Sequence, residues 1–212
     1  MRQLLFLLCV LSGSMASFAQ RKVSELILTY DLSISRNEAQ GGAAGAQPTA
    51  AIMTIYIKGP MSRTDLNYPS FSTSTILNAR AGNAVILQEV SGQKLIRKLT
   101  AENWLAKNKR YQGISFVPDT VTRTIAGYLC HKAEARLADG TTFSVYYTTD
   151  MVPENKDYDF MFRELNGLPL EWAVVQGKNK VQFTLNKIAL NPVPASRFDI
   201  PSTGYRELPY EE

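Results

Sequence analysis

The chain has 212 residues, 45% of them apolar and 20% charged, with a formal charge of +4, two cysteines and a single histidine. That length suits one domain with a core of its own, without disulfide staples. The mildly basic balance says little about partners, and so few histidines and cysteines exclude a zinc cluster built from them.

Residues 1–19, MRQLLFLLCVLSGSMASFA, combine Arg2, an apolar run from Leu4 to Leu11, and small residues at Ser17 and Ala19. This is the pattern of a cleaved signal peptide. The run falls short of the roughly 20 residues that span a bilayer. The expectation is therefore a single domain over 20–212, periplasmic or secreted, with no transmembrane segment and no partner copy. One cysteine, Cys130, remains in the mature chain.

Period two then dominates. In ELILTYDLSIS, Leu26, Leu28, Tyr30, Leu32 and Ile34 share one face, as in a half-buried strand. The Gly-, Ala- and Gln-rich stretch 38–51 reads as a flexible loop. AIMTIYIKG resumes alternation through Met53, Ile55 and Ile57, and SRTDLNY, FSTSTILNA, NAVILQEV and QKLIRKL continue it. TAENWLAKNKR (100–110) changes to a helical period, with Thr100 as N-cap. The cations Lys94, Arg97, Lys98, Lys107, Lys109 and Arg110 cluster here; in an exported chain such a run points to anionic lipid or polysaccharide before nucleic acid, and the plain expectation ahead of both is a solvated face.

TVTRTIAGY and YLCHKAEARL follow, the second holding Cys130 beside His131, the sole histidine. Neighbouring strand residues point to opposite faces, so the two cannot form a nucleophile–base pair, which needs hydrogen-bond contact. His131 is expected on the apolar face with Leu129, Ala133, Ala135 and Leu137, and Cys130 as a packing residue. Face matching against TTFSVYYTT selects a three-residue loop, Ala138-Asp139-Gly140, over a two-residue turn. It pairs Ala135 with Phe143, Ala133 with Val145 and His131 with Tyr147, with Gly140 supplying the left-handed residue.

In DYDFMFREL, Tyr158, Met161, Phe162 and Leu165 recur at i, i+3, i+4 and i+7, which predicts a two-turn helix over 157–165 with Asp157 as cap and Gly167 as stop. LPLEWAVVQ and KVQFTLNKIAL are further strands. The Pro-rich NPVPASRFDIPSTGY wraps the surface, and 206–212 reads as a loose tail.

The ordered segments IAGYLCHKAEARLADGTTFSVYYTTDM, FRELNGLPLEWAV and VPASRFDIPSTGYREL, with IYIKGPMSRTDL upstream, resemble a family of exported Gram-negative domains of unknown function. The chain is more distantly similar to GLPGLI-motif proteins and to the LolA/LolB lipoprotein-carrier fold. The resemblance implies a mainly β fold: a single antiparallel, strongly curved sheet, a half-open barrel, with one or two short helices on its concave face. In the carriers that groove takes acyl chains. This chain departs from them in opening on a strand rather than a helix.

Two functions remain. One is an exported, non-enzymatic binding module holding an apolar ligand, such as lipid or lipoprotein acyl chains. Its lining would come from Leu28, Tyr30, Met53, Ile55, Trp172 and Val174, with Tyr158, Met161, Phe162 and Leu165 as a flap. The same side chains equally suit a closed core. The other is an envelope structural or protein-interaction domain without a small ligand. An open groove of ~300 Å³ or more favours the first, and a filled interior the second. No catalytic residue, cofactor or metal is expected.

Overall fold

A computed structural model of the chain describes residues 20–36 and 51–210. The expected signal segment and loop residues 38–50 lie outside the described residues. The strands are β1 (Arg21–Val23), β2 (Glu25–Arg36), β3 (Ala51–Lys58), β4 (Met61–Asn67), β5 (Phe71–Asn78), β6 (Asn83–Val90) and β7 (Gln93–Leu99), then, after helix α1 (Ala101–Lys107), β8 (Ser115–Ile125), β9 (Tyr128–Arg136), β10 (Thr142–Thr148), β11 (Met151–Pro153), β12 (Leu168–Gln176), β13 (Asn179–Ala189) and β14 (Arg206–Glu207). Twelve of them form one sheet in the order β14-β7-β6-β5-β4-β3-β2-β13-β12-β10-β9-β8. The large sheet is antiparallel except where β14 joins β7, and its two end strands do not meet. Beside it, β1 and β11 form a small parallel pair of their own, in strands of three residues that are too short to show a period of two in the sequence. Among the described residues no helix is long and apolar enough to cross a membrane.

The period-two reading of β2 and β3 holds. Leu26, Leu28, Tyr30 and Leu32 are buried on one face, opposite Ile57, Ile55, Met53 and Ala51 of β3. These side chains join Val145, Leu170, Trp172, Val181 and Leu185 in one core, together with Tyr158, Phe162 and Leu165. One segment thus touches strands from both halves of the sheet, so the sheet curls around it. The other face of β4–β7 is covered by the C-terminal segment, whose Val193 and Phe198 bury against Ile76, Val85, Leu87 and Ile96. That segment is pinned where the Val193 N–H donates to Glu25 Oε2 at 2.9 Å and Arg63 donates to the Arg197 carbonyl at 3.0 Å. In place of the loose tail expected from residue 206, β14 pairs with β7 and the Leu208 N–H donates to the Ile96 carbonyl at 2.9 Å. Tyr210 packs against the same apolar cluster as Trp104.

The β9–β10 hairpin has the register that face matching selects: Ala135 faces Phe143, Ala133 faces Val145 and His131 faces Tyr147. Gly140 sits at φ +83° with open space around its Cα, so only backbone strain opposes a side chain there. Gly140→Val is expected to destabilise by roughly 1 kcal/mol or more, read as a lower urea midpoint. The β8–β9 turn uses left-handed φ at Ala126 (+48°) as well as Gly127 (+84°), the backbone pattern of a two-residue hairpin turn with φ > 0 at both positions. Alanine is ill-suited to it, and Ala126→Asn should raise stability by about 0.5–1 kcal/mol in the same assay.

Three sequence expectations change. Leu129 is 54% exposed, not on the buried face. The buried residues of β9 switch parity between Cys130 and Ala133, beside the point where β8 bulges between Pro118 and Thr122. Residues 157–165 are not a helix but two single 3-10 turns, Lys156–Tyr158 and Phe160–Phe162, separated by Asp159 in extended conformation. The Asp159 side chain accepts from the Met161 N–H at 3.0 Å, a local bond that competes with helical pairing. Gly167 does not stop a helix. A Cβ there would lie 2.4 Å from the Thr148 carbonyl oxygen, so its role is close backbone approach.

Candidate functional site

Cys130 and His131 carry no chemistry together. The Cys130 thiol is fully buried, directs its sulfur to the Tyr128 carbonyl at 3.4 Å, and is pushed up to about 11 by burial. It therefore stays protonated at neutral pH, when the thiolate is the reactive form. His131 lies beside Tyr147 with ring centroids 6.1 Å apart. Among the described residues no group of three His, Cys, Asp or Glu is placed to hold a metal.

The ten expected lining residues do not bound one open groove. Leu28, Tyr30, Met53, Ile55, Phe162, Leu165 and Trp172 are buried in the main core, with Met161 and Val174 packed against it. The Tyr30 hydroxyl donates to the Pro169 carbonyl at 2.9 Å, and Trp172 lies between Phe183, stacked at 4.7 Å, and Phe162, edge-on at 4.8 Å. Val174 lines a separate cleft of about 110 Å³ with Arg110, Tyr111 and Phe143. Tyr158 lines a chamber that the sequence reading did not find.

That chamber follows from the strand register. Along one row of the concave face stand Ile57, Ser62, Leu77, Ala84 and Leu99, on β3 to β7 in turn; along the next, Ile55, Thr64, Thr75 and Ile86. The face is apolar on β3, turns to hydroxyls on β4 and β5, and is apolar again on β6. Helix α1 covers the far apolar part, with Trp104 against Leu77, Ala84, Ile86 and Leu99. Its N-terminus is capped as expected, Thr100 accepting from the Asn103 N–H at 3.2 Å. Gly82 lets Ala101 approach, since a Cβ there would stand 3.0 Å from that of Ala101.

Between α1 and the 156–165 segment the hydroxyl-lined step stays open, as a chamber of about 170 Å³ bounded by Ser62, Thr64, Thr75, Leu77, Trp104, Asn108, Tyr158, Asp159 and Phe160. Two clefts adjoin it at Phe160. One, of about 100 Å³, runs past Ala101, Trp104, Leu105 and Arg163; the other, of about 160 Å³, past Leu105, Tyr111 and Glu164. Phe160 and Arg163 thus form one wall of a seam and Trp104 and Leu105 the other. Arg163 is engaged at the mouth by Asp157 and lies 4.5 Å over the Phe160 ring.

Two polar groups inside are unusual. Asp159 reaches the chamber but sits deep enough that burial raises its carboxyl from 3.8 to about 6, the response of a carboxylate without a compensating cation. Tyr158 is 8% exposed, and its hydroxyl has no hydrogen-bond partner among the described protein atoms. A buried polar group left so costs about 1–3 kcal/mol. One cue to this site was in the sequence: a carboxylate, Asp159, set among Tyr158, Phe160, Met161 and Phe162.

Three of the six cations of the 94–110 cluster contact carboxylates. Lys98 contacts Glu207 at 2.8 Å, Arg110 Asp139 at 3.6 Å and Lys94 Glu89 at 4.0 Å, while Arg97 donates to Gln88.

No protein-family model matches the chain, and no curated protein matches it. Among solved structures it is similar to PNGF-II (15% identity, TM-score 0.47, 89% of this chain and 32% of that one). It is similar also to a β-barrel-like protein of the domain of unknown function DUF1849 from Brucella abortus (10%, 0.43, 81% and 99%) and to a LolA superfamily protein from Nitrosomonas europaea (7%, 0.35, 84% and 90%). The chain spans about a third of the PNGF-II chain.

Proposed function

We propose that this protein is an exported, non-catalytic binding module that holds the apolar part of a lipid-like ligand in the seam between α1 and residues 156–165. The observation that carries this reading is the meeting of three clefts at Phe160, walled by Leu77, Trp104 and Leu105. The chamber alone is smaller than the ~300 Å³ usual for ligand sites, so the reading rests on the chamber and its two adjoining clefts taken together. Long acyl chains along Leu28, Tyr30, Met53 and Ile55 are disfavoured, because those side chains already fill their space.

The test is saturable binding of the neutral fluorophore N-phenyl-1-naphthylamine. Leu105 is 44% exposed, so Leu105→Glu spares the fold and should reduce binding about tenfold or more by placing a charge in the seam. No saturable binding by the wild type ends this reading.

The envelope-interaction reading has its own support. Val117, Val121 and Leu129 are exposed on β8 and β9 at the open end of the sheet. Pro118 and the neighbouring bulge oppose strand addition there. Val117→Lys with Leu129→Lys abolishes partner capture if this surface is the functional one, and leaves fluorophore binding intact if the seam is.

A further inference from the structure

The geometry points to a hydroxylated, uncharged ring, a saccharide-like headgroup, as the polar end of the ligand held in the chamber. This rests on the binding-module reading above and assigns the chemistry of the ligand's head.

The chamber joins aromatic walls, from Trp104, Tyr158 and Phe160, to a floor of neutral hydroxyls from Ser62, Thr64 and Thr75, with the Asn108 side chain, which donates to the Trp104 carbonyl, at the end of α1 above them. Thr64 and Thr75 are directly opposed across β4 and β5, so two hydroxyls lie side by side on one surface. Among the described residues no lysine or arginine lines the chamber, and a carboxylate does. An anionic head, whether phosphate, sulfate or ionised fatty acid, would meet Asp159 without a compensating cation, an arrangement costly in a desolvated site.

Tyr158 lines the chamber, and its hydroxyl is buried without a partner among the described protein atoms, so a ligand group that reaches it gains a hydrogen bond that the protein does not already make. Asp159 Oδ1 already accepts from the Met161 N–H, and the remaining acceptor capacity of the carboxylate calls for a donor. A hydroxyl meets both demands at once, accepting from Tyr158 and donating to Asp159. Threonines, serine and asparagine serve further hydroxyls in either sense, and flat aromatic side chains accommodate the apolar C–H faces of a sugar ring. The volume, about 170 Å³, has room for one such ring, while the adjoining clefts past Leu105 take a chain. An ammonium head would be attracted to Asp159 but would leave the hydroxyl floor without a directional match.

Three probes with one tail and different heads separate these cases: n-octyl β-D-glucoside, octanoate and octyltrimethylammonium, each titrated calorimetrically below its micelle concentration at pH 7. The glucoside should bind roughly tenfold or more tighter than either charged probe. Tyr158→Phe and Thr64→Val, both checked for folding by thermal melts, should each bring the glucoside down toward the charged probes, since each removes a hydroxyl and keeps the shape. Equal binding of the three heads overturns this inference, shows a chamber that holds only water, and leaves the seam reading standing. Tighter octanoate or octyltrimethylammonium, or an unchanged glucoside preference in both variants, also overturns it. Failure of all three tails to bind removes the seam reading as well.

Discussion

Phe162→Ala is expected to destabilise the protein by about 3–5 kcal/mol. The ring is 3% exposed and is the hub that joins the 156–165 segment to the sheet. It meets Trp172 edge-on at 4.8 Å, Phe116 at 6.3 Å and Phe143 at 6.4 Å, so one side chain bridges β8, β10 and β12. Truncation loses the ring's burial and leaves a cavity that the surrounding aromatics cannot fill without moving off their own contacts. Urea unfolding followed by far-ultraviolet circular dichroism measures the loss. A value under about 1 kcal/mol would mean that the segment does not pack into the sheet's interior.

Asp159→Asn is expected to stabilise the protein at neutral pH by up to about 3 kcal/mol and to leave it unchanged near pH 3. The folded carboxyl is raised from 3.8 to about 6 by burial, so the folded state holds its proton more tightly than the unfolded chain. Well below pH 4 both states are protonated and there is no penalty. As pH rises from about 4 to about 6 the unfolded chain ionises first, and the stability linked to that proton is lost. Asparagine keeps the acceptor for the Met161 N–H and removes the titration. Glu25, Asp119 and Asp139 are held below the usual carboxylate range, chiefly by Lys58, by the Val121 N–H and by Thr141 respectively. They oppose this trend in both proteins and cancel in the difference. A variant-minus-wild-type difference that stays flat from pH 4 to pH 7 would show an ordinary, water-exposed carboxylate.

The legible parts of the sequence were those where one local rule acts alone. Alternation placed Leu26 to Leu32 and Met53 to Ile57 inward because these strands have one buried face, and the β9–β10 register followed because a slip of one residue would set Glu134 against Val145. The 156–165 segment resisted because Tyr158, Phe160 and Phe162 also repeat at i and i+2, and Asp159 satisfies a backbone N–H locally; helix and non-helix readings fit the same letters. The chamber was illegible for a different reason. In SRTDL every side chain but the last is polar, so nothing local says that Ser62, 2% exposed, and Thr64 line the inner face while Arg63 turns to the other face, under the C-terminal segment. Only the neighbouring ladder from Ile57 and Ile55 decides it, and the roof comes from α1 and from residues far downstream in the chain.

Binding in the seam is tested most directly by intermolecular nuclear Overhauser effects from the bound octyl chain of n-octyl β-D-glucoside. Contacts are expected to the ring protons of Trp104 and Phe160 and to the methyls of Leu105. Contacts instead to Val117, Val121 and Leu129 at the open end of the sheet, or none at a saturating concentration, would contradict it.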